Sequence, residues 1–116
     1  MNSPAPDPPS AATPFSEIPG IPPAVQQRLL QLIGSQPRLT SLCLFGSRAM
    51  GRYQNCSDID LCLEGPELTH LDRLHLMAAI DDLLLPWKVD LVLRQELPPD
   101  LEAHVQRVGI CLWRRA

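Results

Sequence analysis

The chain has 116 residues, of which 45 % are hydrophobic and 20 % are charged, and its formal net charge is -3. A chain of this length forms one domain of ordinary size, and its mild acidity gives little support to binding of DNA or RNA. No stretch approaches the ~20 consecutive apolar residues that a membrane-spanning helix needs, so we expect no membrane partner.

The first 20 residues differ in composition from the rest of the chain. They are rich in proline, serine and alanine, with Phe15 and Ile18 as the sizeable apolar side chains. Such a segment buries too little surface to offset the entropy lost on ordering it. We therefore predict a proline-rich mobile tail over residues 1–20 and a folded domain over residues 21–116. The tail also lacks the basic and apolar regions of a secretory signal.

Helices and strands are predicted in alternation along the rest of the chain. Pro22 and Pro23 open a helix with apolar residues at helical spacing, and Gly34 ends it. Thr69 caps a later helix whose apolar surface is unusually broad, which we interpret as core and, alternatively, as a partner surface. Strands are predicted over 39–45, 58–63, 87–93 and, at the periphery, 110–113, and further helices over 47–51, 70–85 and 99–108. This order predicts an α/β (α+β) domain with one sheet.

The four cysteines have no spacing typical of a zinc site. Three of them lie inside apolar runs, so we interpret them as small buried hydrophobic residues in a reducing cytoplasm. They are Cys43, Cys56, Cys62 and Cys111. The histidines fall in predicted helices outside any motif, and we interpret them as surface or partly buried residues. They are His70, His75 and His104.

Three aspartates interrupt apolar strands. Asp58 and Asp60 are two positions apart on one predicted strand, so both side chains leave the same face, and Asp90 lies inside a run of valines and leucines. Buried carboxylates without partners destabilise a fold, so something positive must compensate them. We favour a divalent cation because carboxylate oxygens are hard ligands that suit Mg²⁺. The alternative is ion pairing with the nearby cations Arg48, Arg52, Lys88 and Arg94.

A strand that runs into Gly46-Ser47 and opens a short helix is compatible with phosphate binding. Glycine allows close approach of the backbone, and Ser47 adds a hydroxyl donor. Arg48 and Arg52 are placed to neutralise a phosphate chain. Alone, this turn is more often an ordinary helix start. Combined with the three aspartates it predicts a phosphate cradle beside a metal site, and the absence of a Walker lysine excludes a P-loop enzyme.

The motif LFGSRAMGRYQNCSDIDLCLEG followed by WKVDLVL resembles the nucleotidyltransferase superfamily that includes DNA polymerase beta. The closest resemblance is to the minimal nucleotidyltransferases (MNT), the antitoxin partners of HEPN-domain ribonuclease toxins. The resemblance implies the nucleotidyltransferase fold, a small mixed β-sheet flanked by helices. Met50 departs from the pattern, because many members carry a basic residue there, and this weakens one phosphate contact.

The resemblance also implies residue roles. The catalytic and metal-binding residues would be Asp58, Asp60 and Asp90. The first two would bind two Mg²⁺ ions, and the third would bind the metal nearer the acceptor and help to deprotonate it. The residues that bind ATP through its phosphates would be Gly46, Ser47 and Arg48.

The implied activity is transfer of AMP from ATP to a tyrosine hydroxyl near the ribonuclease site of a partner HEPN toxin, so that the chain acts as a cytoplasmic antitoxin. Two other functions stay open: a nucleotidyltransferase that modifies a small molecule such as an antibiotic, and an antitoxin that acts by binding alone. The short chain favours a protein acceptor over a small molecule or tRNA, because it has little room for a separate acceptor site. The intact motif argues against binding alone.

Overall fold

The computed structural model describes residues 12–14 by their backbone and residues 16–115 in full. These described residues form five β-strands and four α-helices around one sheet. In chain order they are β1 Ala12–Pro14, α1 Pro23–Gly34, β2 Ser41–Phe45, α2 Gly46–Ala49, β3 Ile59–Glu64, α3 His70–Asp81, β4 Val89–Leu93, α4 Pro99–Val108 and β5 Ile110–Arg115. The predicted α/β (α+β) class is therefore confirmed.

The sheet is mixed, with the strand order β1-β5-β2-β3-β4. All neighbouring strands are antiparallel except β3 and β4, which are parallel. A parallel pair needs a crossover connection, and α3 provides it by packing on β4 between the two strands in sequence. As a result β3 and β4 begin at the same edge of the sheet, with Asp60 opposite Asp90 in register.

The two faces of the sheet bury different sets of residues, following the alternation of side chains along each strand. On β3, the side chains of Ile59, Leu61 and Leu63 are fully buried in the main core with α1 and α3. Cys62 is buried on the other face, where it packs with Phe45 of β2 and Val105 of α4. Asp60 alternates with the core residues and therefore faces the same side of the sheet as α4.

Helix α3 begins as the sequence predicts and ends earlier. Thr69 and Asp72 form a capping box: Asp72 N donates to Thr69 Oγ1 at 3.1 Å, and Thr69 N donates to Asp72 Oδ2 at 2.9 Å. The helix ends at Asp81, not at residue 85. The chain turns after the helix, and in this turn Leu84 adopts φ 55° and is 86 % exposed.

Part of the segment predicted as a mobile tail, residues 12–14 and 16–20, lies within the described structure and contacts the domain. Residues 12–14 pair with β5, and Ile18 is only 1 % exposed in the main core. The Gln26 side chain accepts from Ile18 N at 2.6 Å and donates to the Ser16 carbonyl at 2.8 Å. The remainder of the predicted tail, residues 1–11 and 15, lies outside the described residues. The strand predicted at the periphery over 110–113 is β5, which lies between β1 and β2 in the sheet.

The cysteines are free thiols, and three of them are partly or fully buried. Burial is the largest cause that raises the pKa of the Cys43 thiol to about 11 and that of Cys62 to about 12. They therefore behave as small hydrophobic residues, as predicted, while Cys56 is exposed. Over the described part of the chain, no helix combines the length and apolarity that crossing a membrane requires.

Candidate active site

The three predicted aspartates lie at one edge of the sheet. Asp60 of β3 and Asp90 of β4 are register partners on neighbouring parallel strands, and both side chains are half-buried. Asp58 directly precedes β3 and is exposed. Because side chains alternate along a strand, Asp58 and Asp60 share a face. The structure therefore brings together the carboxylates that the sequence singles out.

Burial and mutual repulsion among these carboxylates raise the pKa of Asp60. Burial raises the pKa of the Asp60 carboxyl, and the negative charges of Asp90 and Asp58 raise it further. His104 and Lys88 oppose this effect but leave the net direction upward. A cluster of like charges with a raised pKa is the environment that a bound cation relieves, and it is typical of functional sites.

The nearby arginines do not neutralise this cluster. Arg94 binds Glu64 through Nη1 at 2.6 Å and Glu102 through Nε at 2.6 Å. Within the described residues, no lysine or arginine forms an ion pair with Asp58, Asp60 or Asp90. The alternative explanation, compensation by direct ion pairs, therefore lacks a partner among these residues.

The donor set fits Mg²⁺ only as an open site. Among residues 16–115, no group of three or more His, Cys, Asp or Glu side chains is arranged to enclose a metal ion. Mg²⁺ usually keeps several waters and is held by one or two carboxylates together with substrate phosphates. The register pair Asp60 and Asp90 matches that mode, with phosphate oxygens needed to complete the coordination.

The glycine–serine turn lies directly against the carboxylates. Phe45, the last residue of β2, is the register partner of Asp60, so the chain turns into α2 beside that carboxyl group. Gly46 adopts φ 77°, and a Cβ at this position would overlap with Asp60 Oδ2. Only glycine fits here. The Ser47 hydroxyl that follows has no hydrogen-bond partner within the described residues, which leaves it available to a ligand.

The guanidinium of Arg48, which the sequence predicts as a phosphate ligand, is buried among backbone carbonyls. Its side chain is 1 % exposed, and its guanidinium donates to the Ser57 carbonyl at 2.9 Å and to the Pro19 carbonyl at 2.7 Å. Longer hydrogen bonds reach the carbonyls of Gln54 and Asn55. Arg48 therefore holds together the loop that leads to Asp58, and its guanidinium donates to backbone carbonyls of that loop and of Pro19.

His104 is a site residue that the sequence analysis missed. Gly46 N donates to His104 Nε2 at 3.3 Å, and the imidazole packs edge-on against Phe45 with ring centroids 6.1 Å apart. The histidine lies on α4, far along the chain from the motif. No local pattern connects it to Gly46, because only the packing of α4 on the sheet brings them together.

The chain belongs to the polymerase beta nucleotidyltransferase family. The family model, described as "Polymerase beta, Nucleotidyltransferase", matches residues 27–116. The predicted fold and family resemblance are thereby confirmed. No curated protein sequence matches the chain significantly.

Several solved structures have a similar fold. A toxin–antitoxin structure with AMP-PNP is 29 % identical, with a TM-score of 0.62 over 77 % of this chain and 70 % of that chain. A complex of tri-AMPylated Shewanella oneidensis HEPN toxin with MNT antitoxin is 25 % identical, with a TM-score of 0.60 over 77 % of this chain and 69 % of that chain. A protein described as a minimal nucleotidyltransferase is 33 % identical, with a TM-score of 0.55 over 75 % of this chain and 88 % of that chain.

Proposed function

We propose that this chain is an Mg²⁺-dependent nucleotidyltransferase that transfers AMP from ATP to a tyrosine hydroxyl of a HEPN toxin and so acts as its cytoplasmic antitoxin. The observation that carries the proposal is the register pairing of Asp60 with Asp90, with the Gly46 turn held against the Asp60 carboxyl. This arrangement places the Gly46 turn beside two carboxylates that form no ion pair with a lysine or arginine of the described residues.

Each residue of the site has a role in this proposal. Asp58, Asp60 and Asp90 would hold two Mg²⁺ ions together with the triphosphate, and Ser47 would donate its hydroxyl to a phosphate oxygen. Bound Mg²⁺ would neutralise phosphate charge and polarise the attacking hydroxyl. Gly46 would allow the phosphates to approach the backbone. Arg48 would support the loop before Asp58 without touching the nucleotide.

The transfer step balances with these groups alone. The tyrosine oxygen forms a bond to the α-phosphorus of ATP, and the bond from that phosphorus to the bridging oxygen breaks. Pyrophosphate leaves, and the hydroxyl proton passes to the Asp90 carboxylate, whose register places it beside Asp60. Positioning and neutralisation of charge supply most of the acceleration in such a reaction.

The similar solved structures support a protein acceptor. One of them contains AMP-PNP, and another contains an AMPylated HEPN toxin beside its MNT antitoxin. This chain covers about 70 % of each of those chains. A HEPN toxin is therefore the acceptor that the comparisons favour over a small molecule.

The test uses purified chain, Mg²⁺, ATP labelled on its α-phosphate, and a purified HEPN protein as the acceptor. We expect label on the HEPN protein, a mass increase equal to whole AMP units, and loss of its ribonuclease activity. Asp60→Asn and Asp90→Asn should each lower the labelling rate by at least about a hundredfold. The matched control is Asp81→Asn, at an exposed position on α3, which should label at the normal rate.

The same variants separate transfer from binding alone. If Asp60→Asn still binds the HEPN protein but no longer silences it, the enzyme is required. Full silencing by the variant, with no label on the toxin, would contradict the proposal and favour an antitoxin that acts by binding. Transfer of label to an aminoglycoside but not to the HEPN protein would favour the small-molecule alternative.

A further inference from the structure

We infer that His104 is a positioning residue of the nucleotide site, which fixes the Gly46 turn by accepting its backbone N–H. The inference rests on the proposed function, and it adds a residue outside the motif to the machinery of that site. The imidazole lies on α4, and the turn lies between β2 and α2, so the contact joins two parts of the domain.

The geometry assigns the roles of the two atoms. A backbone N–H can only donate, so His104 Nε2, 3.3 Å from Gly46 N, must carry the lone pair in this contact. The neutral tautomer with its proton on Nδ1 satisfies this requirement. The edge-on packing against Phe45, with an interplanar angle of 82°, holds the ring in that direction.

The conformation of the Gly46 turn has to be held by its neighbours. Gly46 has φ 77°, a conformation that its own missing side chain permits but does not enforce. On one side, the carboxyl of Asp60 limits the space around its Cα. On the other side, His104 takes up its amide. Together these two contacts leave one orientation of the turn, in which Ser47 follows with its hydroxyl free.

The contact also decides which donors remain for the phosphates. Because the amide of Gly46 is committed to His104, the donors that the turn still offers are the hydroxyl of Ser47 and the backbone N–H groups that follow at the start of α2. Gly46, whose amide donates to His104, also borders the Asp60 carboxyl, so His104 contacts the same turn that lies against the carboxylates.

The first measurement needs no nucleotide. Amide hydrogen exchange at Gly46, followed by NMR on the full chain, should speed up at least about fivefold in His104→Leu. His104→Gln places an amide oxygen where Nε2 stood and should keep the slower exchange. The matched control is His75→Leu on α3, which is exposed and far from the turn in sequence.

The second measurement is calorimetric titration of ATP with Mg²⁺ into the same proteins. We expect His104→Leu to weaken binding about fivefold or more, His104→Gln to stay within about twofold of the wild type, and His75→Leu to match it. Thermal unfolding shows that each variant is folded. If His104→Leu does not fold, His104→Ala takes its place, because the side chain is only half-buried.

Two outcomes would overturn the inference while the proposed function stands: wild-type exchange and binding in folded His104→Leu, or equal losses in the glutamine and leucine variants. Failure of the proposed function is recognised separately, as a wild-type chain that binds no Mg²⁺–ATP. In that case the exchange measurement still decides whether His104 holds the turn.

Discussion

At the scale of single residues, Asp60 is destabilising to the fold and useful to a ligand. It is half-buried, its burial and two further carboxylates raise its pKa, and no lysine or arginine of the described residues forms an ion pair with it. Natural domains retain such groups mainly at functional sites, where a ligand supplies the missing charge. Removing the charge should therefore stabilise the free protein and abolish its response to the ligand.

We predict that Asp60→Asn stabilises the ligand-free chain at neutral pH. The raised pKa means that the folded state prefers the neutral carboxyl, so ionisation destabilises it as the pH rises through that pKa. Below about pH 3 the carboxyl is neutral in both states and the difference between the proteins should vanish. Solvent screens a half-exposed carboxylate, so the gain should stay below about 1 kcal/mol. Urea unfolding at a series of pH values measures it.

The control for this prediction is Asp58→Asn. Asp58 is exposed, so its replacement should stabilise the free chain less than that of Asp60. Mg²⁺ and ATP should reverse the order of stability, because they stabilise only a protein that binds them. The prediction would be contradicted if Asp60→Asn were less stable than the wild type at neutral pH. It would also be contradicted if Mg²⁺ and ATP raised the free energy of unfolding of the variant as much as that of the wild type.

Arg48 shows that a sequence motif does not by itself determine which groups a side chain contacts. An arginine after Gly-Ser is typical of a phosphate ligand, and charge alone favours that role. In the structure, its side chain is buried and donates to the carbonyls of Pro19 and Ser57. These two acceptors lie before and after Arg48 in the sequence, and they give the side chain a structural role. A motif states which residue types occur, whereas the acceptors around a side chain depend on the path of the whole chain.

We predict that Arg48→Met destabilises the chain by about 3 kcal/mol. The substitution leaves the buried carbonyls that Arg48 now satisfies without a donor, and each unpaired group is costly. Arg52→Met, an exposed position in the same loop, should change the stability by less than about 0.5 kcal/mol. Urea unfolding compares the two. Equal effects would show that Arg48 is not needed for the fold and reopen its assignment to phosphate.

At the scale of elements, the end of α3 shows a local conflict between sequence and structure. The apolar periodicity continues to residue 85, but the helix ends at Asp81 and the chain turns with Leu84 at φ 55°. A leucine in the left-handed region is strained, and a side chain 86 % exposed gains little from packing. Replacing it by glycine removes the strain and sacrifices almost no contact.

We predict that Leu84→Gly stabilises the chain by about 0.5–1 kcal/mol. The relief of strain exceeds the entropy that glycine adds to the unfolded state. Leu74→Gly is the matched control, because it makes the same change at an exposed position inside α3, where glycine costs about 1 kcal/mol. The two substitutions should therefore change the free energy of unfolding in opposite directions. A destabilised Leu84→Gly protein would mean that the exposed leucine contributes to the fold.

Most elements follow from local signals that act within a few residues. Pro23 at the start of α1, the capping box at Thr69 and the apolar runs of β2, β3 and β4 are all found where the sequence predicts them. The neighbours of each strand are not predictable in this way. The parallel pairing of β3 with β4, and hence the meeting of Asp60 with Asp90, depends on α3 crossing the sheet. His104 is hidden from the sequence for the same reason.

At the scale of the whole molecule, the N-terminal segment belongs to the domain it precedes. Composition predicts a tail up to residue 20, because proline and alanine offer little to bury. Ile18 nevertheless packs in the main core, where it is 1 % exposed, and its backbone N–H donates to the Gln26 side chain. The Pro19 carbonyl next to it accepts from Arg48 at 2.7 Å, which connects this segment to the loop before Asp58.

We predict that a chain beginning at Ser16 unfolds within about 1 kcal/mol of the full chain, whereas a chain beginning at Ile21 loses about 3–5 kcal/mol. The second chain lacks Ile18, leaves Gln26 without its partners and removes one acceptor of the Arg48 guanidinium. Urea unfolding of the three proteins measures the difference in stability. Ile18→Ala in the full chain tests the core contact separately, and we expect it to lower the free energy of unfolding by about 3 kcal/mol. Because the Pro19 contact reaches the Arg48 loop, the chain beginning at Ile21 should also bind Mg²⁺ and ATP more weakly. Equal stability of the two shortened chains would place the domain boundary after residue 20, where composition predicts it.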